Sequence, residues 1–178
     1  MGLDMFLYVE EYVSKWHHQV AAVEDAQEKA AKTDSALPED VENLLKVHRV
    51  YDTVERELGL TPSPDFPHML VKVCVGYWRK ANAIHNWFIE QCAENGVDDC
   101  SDIYVSKDHF EQLKRDVKVA LDKAEMTKKI PTSGPIQPKD GFFFGATNDF
   151  NWYLRDLRET REMLARLPDR DYIYRASW

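Results

Sequence analysis

Apolar positions along the chain switch between a period of two and a period near 3.6, and each switch marks an element. Residues 3–13 are aromatic and β-branched with partial alternation, which predicts an apolar, central strand. Residues 17–36 are polar and Ala-rich with a narrow apolar stripe, which predicts a projecting helical segment. Pro38, Glu39 and Asp40 open a stronger helix, since proline suits the first turn and acids suit the positive end of the dipole. Its apolar face runs Val41, Leu44, Leu45, His48, Tyr51, Val54 and Leu58, and Gly59 closes it as a left-handed cap. The proline-rich stretch 61–67 is neither helix nor inner strand.

Residues 70–75 alternate as a short strand and lead into a helix over 78–94 that Asn95 and Gly96 end. A short strand follows at 102–105. Ser106 then caps a helix whose inward face is Phe110, Leu113, Val117, Ala120, Leu121 and Ala124. Three prolines and a glycine make 127–140 a long loop, the kind that carries mobility or function. Glycines bracket three phenylalanines at 141–145, which reads as a buried strand. Asn148 or Asp149 caps a last helix with Phe150, Tyr153, Leu154, Leu157 and Leu164 inward, and 171–176 alternate as a terminal strand. The order predicts one α+β domain over residues 1–178, a mixed sheet of about five short strands with four or five helices.

With 44% apolar and 30% charged residues, the composition is that of a globular protein large enough to bury a core. A net charge of -8 argues against broad nucleic-acid binding, which depends on Lys and Arg neutralising phosphates. Three cysteines without framework spacing point to reduced thiols. No stretch is apolar for the length of a bilayer, so no membrane partner is expected.

The densest chemistry lies in residues 76–88, where Tyr77, Trp78, His85, Trp87 and Phe88 stand among Arg79, Lys80, Asn82 and Asn86. On a helical wheel Ala81, Ile84, Phe88 and Cys92 form the apolar stripe. Trp78, Asn82, His85 and Ile89 line its edge, with Arg79, Asn86 and Glu90 opposite. Asn82 and His85 are thus half-buried neighbours that need partners. They either bond sheet backbone and fix register, or face a ligand together with Trp78 and Arg79. A second candidate wall is Phe144, Thr147 and Asn148, where a small-residue turn enters a helix N-terminus that favours anions. Ordinary capping by Thr147 or Asn148 explains the same residues. No zinc spacing, nucleophile elbow or phosphate-binding loop occurs, so neither metal nor cofactor is expected.

Four motifs carry a resemblance: the Gly-Leu-Asp-Met opening, residues 76–88, residues 142–145 followed by Trp152 and Tyr153, and Tyr174 to Trp178 at the close. In these the chain resembles small proteins of tailed bacteriophages and their prophages, with residues 17–60 outside the match. The resemblance carries no activity. It implies a viral accessory gene expressed in a host bacterial cytoplasm, a class that often counters host immunity.

Together these features predict a non-catalytic protein that sequesters a nucleotide-like small molecule through Trp78, Arg79, Asn82, His85, Trp87, Phe144, Thr147 and Asn148. Rings would stack the base and arginine would clamp phosphate. One alternative is an inhibitor that binds a host defence protein through residues 17–36 and 127–140. Another is a phosphoester hydrolase with His85 as acid–base. A homodimer that builds its pocket at the interface fits the surface aromatics.

Overall fold

A computed structural model describes residues 2–16, 20–33, 37–60, 63, 66–141 and 144–178. The strands are β1 (Asp4–Ser14), β2 (His68–Arg79), β3 (Ile103–Val105) and β4 (Tyr172–Ser177). The helices are α1 (Val20–Ala31), α2 (Glu39–Leu44), α3 (Arg49–Leu58), α4 (Asn82–Cys92), α5 (Lys107–Thr127) and α6 (Phe150–Arg166), with one 3-10 turn at Glu94–Gly96. The architecture is α+β, as the pattern predicted. The strands form one sheet in the order β2-β1-β4-β3. β4 runs antiparallel to β1, with Asp4 opposite Ser177 and Tyr8 opposite Ile173, and antiparallel to β3, with Ile103 opposite Tyr174. β1 and β2 also run in opposite senses, since Lys80 N–H bonds the Leu3 carbonyl while Lys15 N–H bonds the Pro67 carbonyl. The sheet is therefore antiparallel, with four strands among the described residues rather than about five.

The chain divides into two compact units, residues 1–10 with 72–178, and residues 11–71. In the first unit, alternation sorts the strands cleanly. Leu3, Met5 and Leu7 of β1, Trp78 of β2, Ile103 and Val105 of β3, and Tyr172, Tyr174 and Ala176 of β4 are buried. Helices α4, α5 and α6 supply the rest of this core. Phe88 stacks flat on Tyr174 at 3.9 Å, and Phe110 meets Tyr172 at 4.5 Å. All six expected inward residues of α5 are buried, and Ser106 caps it by accepting from His109 N–H. In α6, Tyr153, Leu157, Thr160 and Leu164 are buried, while Phe150 and Leu154 pack at the margin.

In the second unit, the expected single helix over 38–58 is two. Val47 bridges to Trp16 and pulls the chain out of helix, and the His48 side chain restarts it by accepting from Val50 N–H. Gly59 caps α3 at φ 63°, as expected. Val41 and Tyr51 are buried, and α1 buries Val23 and Ala26. Residues 17–19 and 34–36 of the expected projecting helix lie outside the described residues.

The ring-rich segment departs most from expectation. Trp78 and Arg79 belong to β2, not to a helix. The strand alternation shifts phase at Val75 and Gly76, which both face the core, and then holds to Arg79, with Trp78 inward and Tyr77 and Arg79 outward. Lys80 then turns the chain at φ 59° and α4 begins only at Asn82. α4 is buried all round from Asn82 to Ile89, so Asn86 lies in the interior rather than on a far face. The expected strand at 141–145 is not seen at Phe144, whose N–H closes a turn on the Gly141 carbonyl. Phe142 and Phe143 lie outside the described residues. Between α5 and α6 no described residue is helix or strand.

Candidate functional site

The first turn of α4 and the first turns of α6 meet at a hollow in the first unit. The chain reaches it through Lys80, whose carbonyl bonds Asn82 N–H at 2.9 Å. Asn82 is 4% exposed, and its Nδ2 donates to the Ala146 carbonyl at 3.1 Å. That bond ties α4 to the 145–147 turn. Gly145 makes the turn feasible: its φ is 91°, and a Cβ there would stand 3.3 Å from the Lys80 Cβ.

The hollow has a volume of about 210 Å³, and Lys80, Asn82, Thr147, Asp149, Trp152 and Asp156 are among its walls. Asp149, Trp152, Tyr153 and Asp156 reach it together because spacings of three and four share a helix face. No described residue donates to Asn82 Oδ1 or pairs with the Lys80 amine. Asp156 bonds the Arg155 guanidinium through Oδ1 at 2.9 Å, and that guanidinium lies 3.8 Å over the Trp152 ring. Burial pushes the Asp156 carboxyl up to about 6 despite the opposing pull of Arg155. Burial likewise pushes the Tyr153 phenol up to about 12, and its hydroxyl donates to the Ile136 carbonyl at 2.9 Å.

No family model, curated protein or solved structure matches the chain.

The expected site residues are divided among several places. Asn82 and Thr147 line the hollow, and Asn148 lines an adjoining one with Thr147 and Asp140. Thr147 Oγ1 donates to Asp140 at 3.1 Å. The cap of α6 is Asp149, which accepts from Asn151 and Trp152 N–H. Its carboxylate fills the anion position expected at that helix end. Trp78 is core, and its Nε1 donates to Thr160 at 2.9 Å. Trp87 is core too, donating to Asp116 at 2.8 Å. Arg79 is exposed and lies 4.0 Å from Asp4.

His85 is 0% exposed and does not line the hollow. Its Nε2 lies 2.9 Å from Asp98 and its Nδ1 2.7 Å from the Tyr174 hydroxyl. Burial lowers the imidazole pKa, against the raising influence of Asp98. The neutral ring therefore donates from Nε2 to the carboxylate and accepts the Tyr174 proton at Nδ1. Phe144 covers it edge-on at 4.9 Å.

Sequence reasoning missed Lys80, Asp149, Trp152 and Asp156. The α6 spacing was a readable signal for the last three. Lys80 depended on a turn that the helix assignment erased. Among the described residues no helix is long and apolar enough to cross a membrane.

Proposed function

We propose that this chain binds, without catalysis, a small flat molecule of nucleoside or mononucleotide type in the hollow beside Lys80 and Asn82. The observation that carries the reading is Asn82: a side-chain amide fixed by its Nδ2 bond to the Ala146 carbonyl and set at the wall of a cavity. An amide held in place in this way offers a ligand N–H an oriented acceptor. Trp152 offers a ring face for stacking, and the Lys80 amine matches one anionic group. Two carboxylates, Asp149 and Asp156, share the wall, so a heavily phosphorylated ligand is disfavoured. His85 supports no hydrolytic role, because it has no open face toward a substrate. In the phage setting that the resemblance implies, such a binder would withdraw a signalling nucleotide from host defence.

Isothermal titration against a panel of nucleosides and linear and cyclic mononucleotides tests this. We expect heat from at least one member, weakened about tenfold or more in Asn82→Ala. Lys80→Ala should weaken phosphorylated members selectively. A panel that gives neither heat nor a thermal shift overturns the reading.

A further inference from the structure

The hollow between α4 and α6 offers more acceptors than donors. Its ionised side chains are two carboxylates, Asp149 and Asp156, against one amine, Lys80. Most of its neutral donors are already engaged. The Asn82 Nδ2 donates to the Ala146 carbonyl, the Thr147 hydroxyl to Asp140 and the Tyr153 hydroxyl to the Ile136 carbonyl. Asp149 is engaged as well, since its Oδ1 caps α6. Asp156 differs. Among the described residues only Arg155 donates to its carboxylate, and it does so at Oδ1. The second oxygen is left for whatever fills the hollow.

That carboxylate is short of donors. Its side chain is 15% exposed. Burial, helped by Glu159, raises its pKa against the pull of Arg155. Ligand N–H groups would relieve the shortage. Nucleobases differ in what they offer such a group. Adenine and cytosine each carry one amino group beside a ring acceptor, and uracil carries one N–H between two carbonyls. Guanine alone of the four sets two donors side by side, N1–H and the 2-amino group. A carboxylate matches that pair. It repels the lone pair that each other base places beside its donor.

On the reading that a nucleoside sits in this hollow, we propose that Asp156 selects guanine, its carboxylate accepting from N1–H and the 2-amino group. Asn82 Oδ1 adds a neutral acceptor to the same wall. Trp152 supplies the stacking face, and the Lys80 amine stays with the phosphate of a nucleotide. The base is thus read by its donors, and the single phosphate by the one cation.

Isothermal titration of guanosine, inosine, adenosine and xanthosine, each also as its 5′-monophosphate, tests this on the parent chain and on Asp156→Asn. Inosine lacks only the 2-amino group, and xanthosine has a carbonyl in its place. The parent chain should bind the guanine members at least about tenfold more tightly than the rest. In Asp156→Asn the side chain offers one N–H and one acceptor. Guanosine should then weaken about tenfold or more, and xanthosine should gain by a similar factor. A parent chain that takes adenosine or inosine as tightly as guanosine overturns the selection while leaving a nucleoside binder in place. So does an Asp156→Asn chain, folded by circular dichroism, that keeps its preference for guanosine. Absence of heat from every member also overturns the selection, and the cyclic nucleotides of the wider panel then decide the nucleoside reading.

Discussion

Burial holds the Asp156 carboxyl at about 6 against an ordinary value near 4. Its folded pKa is raised, so the neutral form suits the fold and the charged form strains it. The penalty is absent below about pH 4, grows toward pH 6 and stays constant above. Asp156→Asn should therefore stabilise the chain by about 1–3 kcal/mol at neutral pH, and the gain should vanish near pH 4. Thermal melts across that range check it. His85 behaves in the opposite sense, because its folded pKa is lowered below 6.5. The unfolded ring takes up a proton first, so its share of stability is lost as pH falls from about 6.5. His85→Ala should cost about 3 kcal/mol, since it leaves a cavity and strands both Asp98 and Tyr174; urea unfolding measures it. At this scale Asn82 was legible in the sequence, because a polar side chain near an apolar stripe needs a partner. His85 was legible only as an alternative: which partners it takes depends on Asp98 and Tyr174, and no local pattern brings those to it.

Helices α5 and α6 and strand β4 were readable because periodicity, cap and burial all agree there. The end of β2 was not. Residues 76–79 fit both a strand edge and a helix start, and tertiary burial of Trp78 decided for the strand. The break between α2 and α3 was equally hidden, since only the Val47 bridge to Trp16 interrupts a sound helical stripe. At the start of α6, Asp149 satisfies two backbone donors. Asp149→Ala should lower stability by about 1 kcal/mol by denaturant titration. It also bares that helix end, so an added phosphate or sulfate should recover part of the loss.

The buried hydrophobic cluster belongs to residues 1–10 and 72–178. The unit over residues 11–71 buries only Val23, Ala26, Val41 and Tyr51 among its described hydrophobic residues. Amide hydrogens of α1, α2 and α3 should therefore exchange faster than those of α5, by sub-global opening. Equal protection across both units, read by mass spectrometry, would contradict this. The sheet order was the least legible feature, because pairing between β1 and β4 joins positions that sequence periodicity treats as unrelated. That pairing also governs biosynthesis. β4 lies between β1 and β3, so the last of these four strands to be made fills the middle of the sheet. Until then β1 offers Leu3, Met5 and Leu7 without the neighbour that shields them. The nascent chain thus needs either a holding chaperone or fast completion to escape aggregation.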